Sequence, residues 1–196
     1  MGSAWEFPTS LNIGGVDYKI RSDYRAVLDL LTALNDPELA DEDEQITAFM
    51  QSNVIMEIMF PDFQNIPIEH WQEALDKVSE FVNMGVAEER KKPKLMDWEQ
   101  DAPILIPAIN KVLNCEIRAQ EYMHWWTFLG AYMEIGESLF SNVINIRQKK
   151  AKGKKLEKWE QDFYKENKSL IDFKEKSKRS TEESDALRDY FGYKKK

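Results

Sequence analysis

Between residues 9 and 20, in TSLNIGGVDYKI, apolar and polar positions alternate on either side of two glycines, which is the period of a strand. Gly14 and Gly15 can both take positive φ, as a two-residue type I′ turn requires. Such a turn pairs Ile13 with Val16 and Leu11 with Tyr18, setting four apolar side chains on one face. A lone hairpin is marginal in water, so that face is expected to cover helices. From Asp23 the period lengthens. Tyr24, Val27, Leu28, Leu31 and Leu34 form one helical stripe, ended by Asp36-Pro37. The acidic run DEDE at 41–44 suits the positive end of a second helix, with Ile46, Phe49, Met50, Val54 and Ile58 as its buried face. FPDFQNIP breaks the chain. A third helix follows, with Ile68, Trp71, Leu75, Val78 and Val82 inward and Gly85 as its C-terminal cap.

In the second half, EERKKPK at 88–94 reads as part of an exposed linker near 86–95. Asp97 is placed to cap a short turn. Pro103 and Pro107 cannot both lie inside one regular helix without a break, so a helix is expected from about Pro103 to Leu113. One or two helices then span about 118–148. KKAKGKK turns the chain, and Leu156, Trp159, Phe163 and Leu170 mark another helix. The fold class is therefore mainly α: about six to seven helices with a small N-terminal β-hairpin, in one domain over 9–175. Residues 1–8 read as a tag or variable leader. Residues 176–196 form a charged tail, expected to be mobile unless a partner orders it.

Composition narrows the class. Apolar residues at 42% and aromatics at 12% suffice for a core, while 32% charged residues and a mean hydropathy of −0.59 describe a heavily charged surface. No apolar run approaches the ~20 residues of a membrane span, and no secretory signal is visible. The single cysteine, Cys115, fits a reducing cytoplasm. The net charge of −8 is unevenly placed: residues 1–146 hold 10 Lys+Arg against 25 Asp+Glu, and residues 147–196 hold 17 against 10. Such a division favours contacts within an assembly or with acidic partners.

Candidate chemistry centres on EYMHWWTFLGAYMEIGESLF, residues 121–140. On a helix, Glu121 and His124 would share a face, which is half of a di-iron set. The other half is missing, because His70 has Pro67 rather than a glutamate three residues before it. No nucleophile elbow, P-loop or dinucleotide fingerprint occurs, so no catalytic residue, cofactor or metal is assigned. The aromatic stripe through Tyr122, Trp125, Leu129, Tyr132 or Met133, Gly136, Leu139, Phe140 and Val143 reads as a central core helix, with Glu134, Glu137, Ser141, Asn145 and Gln148 on the solvated side. The apolar arc is wide for one contact, which leaves Trp126, Phe128 and Ile135 to face a partner. Arg147, Lys149, Lys150, Lys152, Lys154 and Lys155 form a basic run. A solvated helix end explains it best; a docking surface for an acidic protein comes next, and nucleic acid is disfavoured because lysines dominate with no interleaved aromatic.

Several runs together carry a resemblance: PTSLNIGGVDYKIRSDYR, PKLMDWEQDAPILIPAINKVL, HWWTFLGAYMEIGE and IRQKKAKGKKLEKWEQDFYKENK. Over about residues 8–175 the chain resembles the tail-assembly protein family of long-tailed phages and prophages of Gram-positive bacteria that is named for phage gene product fifteen. The resemblance implies a non-enzymatic tail-assembly chaperone. Its partners would be the tape-measure protein, other tail proteins and further copies of itself, with no membrane partner. It would work in the cytoplasm of the infected or lysogenic host and be absent from the mature virion. A structural tail component retained in the virion is the alternative, and a metal-binding helical enzyme using Glu121 and His124 is a remote one.

Overall fold

The structure, a computed structural model, describes residues 6–39, 44–85 and 93–174. Within them lie eight α-helices and one two-stranded sheet, so the chain is mainly helical with a small N-terminal hairpin. It divides into two compact units; the described residues of the first are 6–39 and 44–85, and those of the second are 93–174. Residues 1–5 of the expected leader, 86–92 of the linker and the tail at 176–196 lie outside the described residues.

In the first unit, β1 (Ser10–Ile13) and β2 (Val16–Lys19) pair in the expected register, Leu11 opposite Tyr18 and Ile13 opposite Val16. Gly14 and Gly15 take φ of +57° and +82°. The apolar face is covered unevenly: Ile13 is sealed, whereas Val16 is half exposed. Helix α1 (Tyr24–Leu34) starts at Asp23, whose carboxylate accepts the Arg25 N–H at 3.0 Å. It buries Tyr24, Val27 and Leu30, turning the expected Leu28–Leu31–Leu34 edge to a half-buried position.

Helix α2 (Glu44–Met59) buries Met50, Met56 and Met59, not the predicted Phe49, which is exposed. Apolar residues ring this helix, so periodicity does not select a face, and unbranched methionines fill the irregular space. Helix α3 (Trp71–Val82) buries Ala74, Val78 and Phe81. Ile68, predicted inward, lies in the 3₁₀ turn before it and is exposed. Gly85 closes α3 at φ +75°, its N–H donating to the Glu80 carbonyl at 2.7 Å. The hairpin rests on α3: Gly14 N–H donates to Glu73 Oε2 at 3.0 Å.

In the second unit, Asp97 caps a turn by accepting the N–H groups of Glu99 and Gln100. Helix α4 (Ala102–Leu113) holds both prolines without ending. Pro103 sits in the first turn, where no N–H is needed, so only Pro107 removes an internal bond. Asn114 ends α4 in the left-handed region, φ +53°. The next helix begins later than predicted. Residues 117–119 form a 3₁₀ turn, and α5 (Trp125–Met133) starts at Trp125 rather than near Arg118. Three hydrogen bonds from Arg118, two from its side chain and one from its backbone N–H, hold the Glu116 carboxyl down to about 2, and Asn110 ties the same turn to α4. After a break at 134–138 comes α6 (Leu139–Ala151), capped by reciprocal bonds between Ser138 and Ser141. Helices α7 (Lys158–Glu166) and α8 (Lys168–Ile171) divide the last predicted helix at Asn167. Trp125, Phe128 and Ala131 of α5, with Phe140, Val143 and Ile146 of α6, form this unit's core against Ile104, Leu105 and Ile109 of α4.

Candidate partner-binding surface

The basic run separates into three classes once folded. Arg147 is buried at 4% exposure, and Asp101 opposite it at 1%. Their fork is bidentate, Nη1 to Oδ2 at 2.6 Å and Nη2 to Oδ1 at 2.9 Å. The remaining donors reach the carbonyls of Leu95, Leu170 and Ile171, and the Phe173 ring lies 4.3 Å from the guanidinium carbon. Arg147 therefore cannot dock a partner; it ties the start of α4 to α6 and α8. A run of basic residues in sequence does not reveal which one has a carboxylate waiting 46 residues earlier.

Lys149 and Lys150 are committed within the unit as well. Lys149 Nζ lies 2.6 Å from Glu160 Oε1, and Lys150 Nζ lies 2.6 Å from Asp172 Oδ1. The Lys149 hydrogen bond and the Glu157 N–H hold the Glu160 carboxyl below its usual range. The bond from Lys150, then that from the Tyr164 hydroxyl, does the same for Asp172. Lys149 is raised in turn by Glu160; for Lys150, burial opposes the shift but the bonds to Asp172 and Tyr164 outweigh it. The buried residue of α7 is thus Glu160, while the predicted anchor Trp159 is half exposed. Lys152, Lys154 and Lys155 remain. They are exposed and make no ion pair among the described residues.

The aromatic candidates also part company. Phe128, expected to face a partner, is buried at 1% and stacks on Trp125 at 5.6 Å. Tyr122 and Leu139, expected in the core stripe, are instead exposed, and of the pair Tyr132 or Met133 it is Tyr132 that is half-buried while Met133 is exposed. These corrections share a cause. Residues 118–124 hold no α-helix and 134–138 interrupt it again, so no single 3.6-residue phase runs through the stretch. Glu121 and His124 consequently do not share a helix face. His124 is the buried N-cap of α5, its Nδ1 accepting the Trp126 N–H at 3.1 Å, and Glu121 is exposed. Trp126 is half-buried beside the His124 ring. Among the described residues no group of three or more His, Cys, Asp or Glu side chains is arranged to hold a metal.

Ile135 has a different setting. With Gly136, Glu137 and Ser138 it forms one wall of an open groove, whose other wall is the C-terminal half of α4 at Ala108, Lys111 and Val112. The groove encloses about 460 Å³. Val112 is 39% exposed, and Met133 and Leu139, which flank the connection, are 61% and 43% exposed. The polar residues on it are Lys111, Glu134, Glu137 and Ser138. This is an apolar floor between charged rims, open enough for a chain segment.

Residues 6–173 match the family model described as Bacteriophage Gp15 protein. The chain belongs to that family. The match covers nearly all the described residues, including both walls of the groove, so the molecule is a bacteriophage-family protein whose fold is mainly helical. Nothing among curated proteins and nothing among solved structures matches it. No helix among the described residues is long and apolar enough to cross a membrane.

Sequence reasoning about this family member reached Ile135 but missed Val112 and Lys111. They lie more than twenty residues before Ile135 and read as an ordinary helix end. Glu134 and Glu137 are exposed as expected, yet they line a groove beside apolar side chains. Gly136 was the available signal: a glycine between Ile135 and Glu137 whose backbone does not adopt a left-handed φ that would require it.

Proposed function

We propose that this chain acts by binding, without catalysis or cofactor, as a tail-assembly chaperone that keeps a phage tape-measure protein soluble while the tail tube forms. The observation that carries the reading is membership of the bacteriophage family over residues 6–173. The open groove on the second unit supports it, because a long helical protein with exposed apolar stripes aggregates unless something covers them. The chain's net charge of −8 would keep such complexes apart, and many copies along one rod would add avidity to weak single contacts. The work would be done in the host cytoplasm, and the protein would leave before the virion is complete.

Co-expression of a tagged copy with the adjacent tape-measure gene product, followed by pull-down and sizing, tests this. A soluble tape measure that co-elutes with several copies of the chain supports the reading. An insoluble tape measure with nothing bound overturns it, and detection of the chain in purified particles would then favour a structural tail role.

A further inference from the structure

We propose that the groove between α4 and the α5–α6 connection seats one amphipathic helix of a partner, with an apolar stripe flanked on one side by Lys or Arg; the identity of that partner rests on the function proposed above. Three observations converge. The first is the apolar floor. Val112 and Ile135 line it with Ala108, and Met133 and Leu139, at the two ends of the connection, are exposed. Helix-in-groove recognition needs such a floor.

The second is charge. Glu134 and Glu137 are exposed, and neither enters an ion pair among the described residues. Lys111 on the α4 wall is likewise without one. A helix laid along the groove would place its flank beside two uncompensated carboxylates, which favours Lys or Arg there and disfavours Glu. The third is Gly136. It lies outside the left-handed region, and a Cβ built on it would meet nothing within 4 Å. The fold therefore does not require glycine at this place, although glycine costs backbone entropy. Gly136 is itself part of the groove lining, so the absence of a side chain leaves room there for a close backbone approach. The Gly136 and Glu137 N–H groups also find no acceptor among the described residues.

The test uses the full chain and two synthetic amphipathic helical peptides of one apolar stripe, one flanked by lysines and the other by glutamates, with affinity read by fluorescence anisotropy. The lysine-flanked peptide is expected to bind more tightly. Gly136→Trp should weaken it by about tenfold or more by filling the groove, and Val112→Glu should do the same from the other wall. The Glu134→Lys, Glu137→Lys double variant should invert the preference. Lys152→Glu with Lys154→Glu and Lys155→Glu should change nothing. Circular dichroism confirms that each variant is folded; two walls are tested so that loss of one variant leaves the other. Equal binding by wild type and both filled variants, no binding to wild type, or no preference between peptides would each overturn the inference. So would a wild-type dimer that Gly136→Trp converts to monomer, because a second copy would then be the occupant. Tape-measure pull-down separates the two proposals. Capture that survives Gly136→Trp leaves the chaperone reading and removes the groove; peptide binding without tape-measure capture does the reverse.

Discussion

A guanidinium sealed from water needs an acceptor for every N–H it carries, and Arg147 has five hydrogen bonds for its five. Removing either partner of the Arg147–Asp101 pair strands a buried charge, a loss that costs about 3–5 kcal/mol. Asp101→Asn and Arg147→Met are each expected to lower stability by that order in urea unfolding, and the double variant by less than the sum of the two. Arg147→Lys would keep the charge but lose the fork, and should recover little. Glu160 and Asp172 illustrate a second residue-scale effect. Their folded-state pKa values are depressed from ordinary values of 4.5 and 3.8, so their contribution is complete above those values and is lost as pH falls through the folded pKa. Lys149 and Lys150, raised from 10.5, contribute below that value and lose it as pH rises through the folded pKa. Urea midpoints should therefore fall on acidification below about pH 4.5, and the combined Glu160→Gln, Asp172→Asn variant should show a shallower fall.

At the scale of elements, the hairpin was fully legible because its register follows from two adjacent glycines and an alternating pattern. Its docking was not. A Cβ on Gly14 would lie 2.8 Å from His70 Nε2, whereas one on Gly15 would meet nothing, although both residues have positive φ. Gly15→Ala is expected to cost about 1–2 kcal/mol from backbone strain alone. Gly14→Ala should cost more, and His70→Ala should recover the excess in a double-mutant cycle read by thermal unfolding. Helices α1 and α3 were legible as helices, but their buried faces shifted to include Leu30, Ala74 and Phe81. Tertiary neighbours choose among adjacent apolar positions, and a period alone does not. The largest misreading, at 118–148, came from carrying one helical phase through a loop and a capped restart at Ser138. Its cost was the misplacement of Phe128 on the surface and of Leu139 in the core. Of the groove lining, the sequence singles out only Ile135 as a partner-facing side chain, with Glu134 and Glu137 read as solvated positions. Val112 and Lys111 join Ile135 through folding, which local pattern does not encode.

Across the whole molecule, the charge asymmetry follows the unit boundary more closely than the tail. Residues 1–87 carry 16 Asp+Glu against 4 Lys+Arg, while residues 88–175 carry 15 against 16. The first unit thus bears self-repulsion that the second does not. Raising salt from low to physiological ionic strength, where the Debye length is about 8 Å, should increase amide-exchange protection in the first unit more than in the second. The five bonds of Arg147 have a further consequence for how the chain matures. The described elements of the first unit all lie before residue 86. The second unit is locked later. Arg147 needs the carbonyl of Ile171, 24 residues further on, and until that segment clears the ribosome Asp101 and Arg147 must wait only partly satisfied. At roughly 5–20 residues per second this is a delay of seconds, during which the apolar surfaces of α4, α5 and α6 have no locked partner and the nascent chain depends on its acidic first unit to stay apart from its neighbours.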